Sequence, residues 1–126
     1  MKIVVTGGRE FRNRKLLEET LDKTLKWETP ITHLIHGGAR GADSMAHEWA
    51  MKRGVQTVEC MANWTYFKNS AGPKRNKLMA LLEPDLCIAF PGETGTANCV
   101  KFMRFYGIPV TEIRDESPKE TPNAEG

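Results

Sequence analysis

The stretch IHGGARGADSMA, residues 35–46, sets three glycines, Arg40 and Asp43 between two apolar runs. Ahead of it, ITHLIH (31–36) has the apolar, β-branched character of a short buried strand. Behind it, Gly41 or Asp43 opens a helix that ends at Gly54, a suitable C′ residue after Lys52 and Arg53. A strand, a glycine-rich turn and a helix make up two thirds of a βαβ unit. The question is whether the rest of the chain repeats that order.

It does. KIVV (2–5) reads as a strand, and Asn13 caps a helix running to about Trp27, with Leu17, Leu21, Thr24 and Leu25 on one face. Pro30 breaks that helix. VQTVEC (55–60) is the third strand, and a longer connection, MANWTYFKNSAGP (61–73), follows. Pro73 fits an N1 position and starts a helix to about Leu82. DLCIAF (85–90) is the fourth strand, and Thr94 or Gly95 opens a helix that ends near Tyr106–Gly107. IPVTEI (108–113) is the fifth strand, and Pro109 at its start favours a sheet edge. Alternating strands and helices predict right-handed crossovers and a parallel sheet covered on both faces, an α/β Rossmann-like doubly wound domain.

Composition agrees. The 126 residues suffice for one domain, and 40% hydrophobic with 27% charged residues is ordinary for a globular protein. No apolar run is long enough to span a bilayer, and MKIVV enters a strand without a signal peptide's features. Cys60, Cys87 and Cys99, lacking CxxC spacing, read as reduced thiols, so a cytoplasmic location is expected. Residues 1–114 are expected to form the domain, and 115–126 a disordered acidic tail. That tail holds four acids and one lysine. The net charge is +2, and setting aside the tail's −3 leaves +5 on the body. A moderately basic body suits a small anionic ligand better than a dedicated duplex-DNA face.

In such a sheet, ligands bind outside the carboxyl ends of the strands, where strand order reverses. The βα connections carry the chemistry: Gly7, Gly8 and Arg9 after the first strand; Gly37, Gly38, Arg40 and Asp43 after the second; Lys74, Arg75 and Asn76 at the third helix; Gly92, Glu93, Thr94, Gly95 and Thr96 after the fourth strand. The αβ connections are short and plain. Glycine turns entering helices expose backbone N–H groups at the positive end of the helix dipole, and arginines complete an anion site bidentately. No single loop is specific: there is no GxGxxG fingerprint and no GxxxxGK[ST].

The other candidates have plainer readings. His33 and His36 point to opposite faces of their strand, and His47-Glu48 lacks the second histidine of HExxH, so no metal ligands are expected. Asp43 is either a first-turn helix residue or an acceptor for a ribose hydroxyl. Glu93 is a sugar-hydroxyl acceptor, a catalytic carboxylate or a solvated acid. Trp64, Tyr66 and Phe67 are expected to plug the underside of their loop, with nucleobase stacking as the alternative. Cys99 reads as a buried small residue.

Four motifs together, VTGGREF (5–11), HGGARGADSMA (36–46), AGPKRNKLMA (71–80) and PGETGTA (91–97), resemble the SLOG superfamily, most closely its small stand-alone YpsA-related domains. The resemblance implies a Rossmann-like fold that binds a nucleotide or ADP-ribose-like molecule at these loops, and self-association, since relatives often form dimers or tetramers. The superfamily also includes the Lonely Guy phosphoribohydrolases and the DNA-processing protein A family. Lonely Guy enzymes carry PGGxGTxxE, whose last glutamate serves catalysis. Here Cys99 stands at that place and Glu93 replaces the second glycine, while Arg75 matches their arginine. The expected function is therefore binding or sensing of a nucleotide or NAD/ADP-ribose-derived ligand, without a cofactor and without a membrane. The alternatives are a nucleoside monophosphate phosphoribohydrolase, with Glu93 as its carboxylate, and a single-stranded nucleic-acid binder.

Overall fold

The structure, a computed structural model, describes residues 1–26 and 30–116. Most of the expected tail, and the expected end of the first helix at Trp27, lie outside the described residues. The elements follow in the order β1 (Lys2–Thr6), α1 (Arg14–Leu25), β2 (His33–His36), α2 (Ala42–Arg53), β3 (Gln56–Glu59), α3 (Trp64–Phe67), a 3₁₀ turn (Lys68–Ser70), α4 (Ala71–Leu81), β4 (Leu86–Ala89), α5 (Thr94–Phe105) and β5 (Val110–Glu112).

All strand pairs are parallel, in the order β3-β2-β1-β4-β5. Strand order reverses at β1, so the crevice lies between the carboxyl ends of β1 and β4. Alternation along β1 separates two cores. Ile3 and Val5 pack with Leu17 and Leu21 of α1 and with Ala46 and Trp49 of α2. Val4 packs with Met79 of α4 and with Cys99 and Met103 of α5. Helices therefore cover both faces, as a two-residue side-chain period requires.

Local signals explain the element ends. The Asn13 side chain accepts from the Leu16 N–H at 3.1 Å and caps α1. Gly54 closes α2 in the left-handed region, at φ 72°. Asp22 clasps α1 to α2: it accepts from the buried Trp49 indole at 2.9 Å and from Arg53 Nε at 3.0 Å and Nη2 at 3.1 Å. The Arg53 and Trp49 hydrogen bonds hold its carboxyl below the usual range. β5 lies at an edge, as Pro109 suggested, and β3 forms the other edge.

Two local readings change. α4 begins at Ala71, so Pro73 is its third residue rather than its first. Proline needs no N–H partner anywhere in a first turn, so it marks the turn and not the residue. The aromatic segment is not a plug: it forms the single-turn α3, with Tyr66 75% and Trp64 49% exposed.

Candidate functional site

Three loops interlock at the carboxyl end of the sheet. The Gly8 N–H donates to the Pro91 carbonyl at 2.8 Å, joining the loop after β1 to the loop after β4. The Gly8 carbonyl accepts from the Ala42 N–H at 3.3 Å, joining both to the start of α2. Gly41 makes this approach possible. Its φ is 80°, and a Cβ there would lie 2.3 Å from the Gly8 carbonyl oxygen. Gly7 lies in the same seam, against Ala42 and Phe90.

The loop after β2 is tied from below by Asp43. Its Oδ2 accepts from the Gly37 N–H at 3.1 Å and the Ala39 N–H at 3.3 Å. Asp43 sits in the first turn of α2, and its Oδ1 is buried with no hydrogen-bond partner among the described residues. Burial pushes its pKa up to about 6, against the lowering effect of the Ala39 and Gly37 amides and of Arg75. A buried, half-satisfied carboxylate is costly, and such groups cluster at functional sites.

Arg75 folds back over the strand ends instead of extending into solvent. Its Nη1 donates to the Gly37 carbonyl at 2.7 Å and its Nε to Asn76 Oδ1 at 2.9 Å. Its Nη2 makes neither bond. Asn76 is 3% exposed and is a tie: its Nδ2 donates to the Gly95 carbonyl at 3.2 Å and to Asn98 Oδ1 at 3.0 Å. These bonds fix the start of α4 against the start of α5.

The loop after β4 is the open part. Glu93, Thr94 and Gly95 are exposed, and Glu93 makes no side-chain cap to α5. The Thr94, Gly95 and Thr96 N–H groups take no acceptor among the described residues, and the first helical bond runs from Ala97 to the Glu93 carbonyl at 2.9 Å. A Cβ on Gly95 would meet nothing within 4 Å. Gly92, in contrast, gives room to the Thr96 hydroxyl. A small cavity of about 180 Å³ adjoins this loop, lined by Gly92, Glu93, Thr96 and Glu112.

The remaining predicted cations are placed less centrally. Arg9 is exposed, Arg40 pairs with Glu10, and Lys74 lies 4.9 Å from the Phe67 ring centroid. Gly38 is exposed beside Glu59. Cys99 is fully buried, and all three cysteines are free thiols. Sequence reasoning missed one association: His36 Nε2 lies 3.0 Å from His47 Nδ1. The two stand eleven residues apart on a strand and the following helix, a spacing that no helix or strand period flags.

The fold and the loop architecture define a small Rossmann-like domain with its polar loops gathered at the carboxyl end of a parallel sheet. The family model for the YspA, cpYpsA-related SLOG family (YAcAr) matches residues 1–67. The Gene 61 protein of Mycobacterium phage D29 is 31% identical over 122 residues, covering 91% of this chain and 98% of that protein. The chain belongs to the YspA, cpYpsA-related SLOG family. Among solved structures it is similar to DNA processing protein A (DprA) from Streptococcus pneumoniae, with a TM-score of 0.73 and 19% identity over 92% of this chain. The chain spans about half of that longer structure, 51%. Among the described residues no helix is long and apolar enough to cross a membrane.

Proposed function

We propose that the protein binds a small nucleotide-type ligand, a nucleotide or an NAD- or ADP-ribose-derived molecule, across the loops after β1, β2 and β4 and the start of α4. The observation that carries this reading is the start of α5. Among the described residues three N–H groups there have no acceptor and no side chain caps them, and Gly95 leaves the space above them clear. A twelve-residue helix presents such groups with its dipole aligned, which favours a phosphate. Arg75, held by Gly37 and Asn76, supplies a guanidinium with one nitrogen to spare. Asp43, whose buried Oδ1 has no partner among the described residues, lies beneath the same loops. The adjoining cavity is smaller than pockets that enclose a whole drug-sized ligand, roughly 300–1,000 Å³. A nucleotide would therefore lie along the loops.

The likeness to DNA processing protein A keeps single-stranded nucleic acid as the competing ligand, and the exposed Trp64 and Tyr66 offer rings for it. The exposed Leu78, Leu81 and Phe105 suit the self-association expected of the family, which light scattering measures. A thermal-shift screen of AMP, ADP-ribose, NAD and an oligonucleotide of mixed sequence separates the ligand classes. The proposal expects a shift with the small ligands and none with the oligonucleotide alone. Hydrolysis is not expected, because Cys99 occupies the catalytic glutamate's place and is buried. Incubation with AMP, GMP, CMP and inosine monophosphate followed by chromatography checks this. Base release that disappears in Glu93→Gln makes the protein a hydrolase with Glu93 as its carboxylate.

A further inference from the structure

His36 ends β2, Glu59 ends β3, and the two are directly paired in register. In a parallel pair, opposed residues leave the same face of the sheet. That face carries α2, which brings His47 to them. One ligating atom from each of the three side chains lies within 4.8 Å of the other two. Two nitrogens bound to one zinc ion at tetrahedral angles are roughly 3.3 Å apart, close to the 3.0 Å between His36 Nε2 and His47 Nδ1.

The Glu59 carboxylate makes no hydrogen bond and no ion pair among the described residues. Though exposed, it lies beside Gly38, with Oε2 2.6 Å from where a Gly38 Cβ would sit. Gly38 itself has φ 75°, a left-handed conformation that favours glycine.

We propose that His36, His47 and Glu59 form a binding site for one divalent transition-metal ion of the zinc class. Two imidazoles and one carboxylate favour such an ion over magnesium or calcium, which prefer all-oxygen sets. Three protein ligands leave the fourth tetrahedral position to water or to an incoming oxygen ligand. This inference stands whether or not the nucleotide reading holds.

The proton balance is specific. In the metal-free protein, the Gly38 N–H donates to His36 Nδ1 at 3.0 Å, so His36 carries its proton on Nε2 and donates it to His47 Nδ1. Metal on Nε2 displaces that proton, which passes to Nδ1. The Gly37–Gly38 peptide must then turn, so that its N–H no longer faces an N–H, and its Gly37 carbonyl gives up the bond from Arg75 Nη1. Two glycines make that turn sterically cheap.

The test uses the full chain, stripped with a chelator, then titrated with Co²⁺ by visible absorption and with Zn²⁺ in competition with a chromophoric chelator. The expected result is one ion per chain, with a weak-field spectrum free of thiolate charge-transfer bands. Glu59→Gln, at an exposed position, should weaken binding at least about tenfold, and His47→Gln about a hundredfold. His33→Gln, outside the cluster, should leave it unchanged. Circular dichroism checks that the variants fold. The proposal is overturned if the wild-type chain takes up neither ion, if a thiolate band appears, or if Glu59→Gln and His47→Gln bind as the wild type does.

Discussion

The loop after β2 and the loop after β4 are both glycine-rich turns into twelve-residue helices, yet they are built for different ends. In the first, glycine is consumed by the protein itself: Gly41 takes the Gly8 carbonyl, Gly37 takes the Arg75 guanidinium, and Asp43 ties the turn down. In the second, Gly95 faces open space, the helix is uncapped and the side chains are exposed. One loop is a buttress; the other, on the proposed reading, is a mouth. Glycine content alone does not tell them apart; what a Cβ would strike does.

The largest effect should come from breaking the buttress. Gly41→Ala combines a left-handed φ with a clash against a backbone oxygen, and should cost on the order of 3 kcal/mol or more. Urea denaturation measures it, and a midpoint like that of the wild type removes the buttress from the comparison.

Asp43→Asn should act in the opposite direction on stability. With its folded pKa raised from 3.8 to about 6, the ionised side chain is penalised above that range, by roughly 3 kcal/mol. Below 3.8 both states are protonated and the penalty vanishes. The variant keeps an oxygen for the Gly37 and Ala39 amides. It should therefore be more stable than the wild type at pH 8, by a margin that shrinks as the pH falls through 6. His36, lowered by burial, gives the reverse slope, since its contribution is lost as pH falls below 6.5; that slope is common to both proteins and cancels in their difference. A margin independent of pH would show that Asp43 is not a strained acid.

Arg75 joins the two loops. Arg75→Ala should weaken binding of AMP or ADP-ribose by roughly 1.5–3 kcal/mol, about tenfold to a hundredfold or more. It should also cost about 1 kcal/mol of stability, because the Gly37 carbonyl loses its donor. Arg75→Lys should recover only part of the affinity, since a single ammonium cannot hold the Gly37 and Asn76 oxygens and still present a separate nitrogen to the ligand. Calorimetric titration gives the affinities and thermal melts the stabilities. Unchanged affinity leaves Arg75 as a strut only.

Gly95→Ala is the smallest change and the sharpest contrast with Gly41→Ala. It should raise helix stability by up to about 1 kcal/mol and still weaken ligand binding. A variant that is stabilised and binds normally would mean that the mouth is elsewhere.

Much of this was readable in the sequence. Strand positions followed from short apolar runs bounded by glycine and proline, and the Asn13 cap and the Gly54 stop were local signals. The placement of the loops at one end of the sheet followed from topology. What could not be read were relations between loops. No motif states that Gly41 faces the Gly8 carbonyl, or that Arg75 reaches back thirty-eight residues to Gly37. The pairing of His36 with His47 is of the same kind. The aromatic segment was misjudged because a single exposed turn has no buried face to generate a period.

The fixed guanidinium of Arg75 has one more consequence. A free arginine side chain surrenders on the order of 2 kcal/mol of rotamer entropy when a ligand immobilises it. Here folding has already withdrawn that freedom through Asn76 and Gly37. A ligand meeting the remaining nitrogen need not order the side chain. Association should therefore resemble the docking of rigid bodies, with a rate set by diffusion and charge rather than by rearrangement.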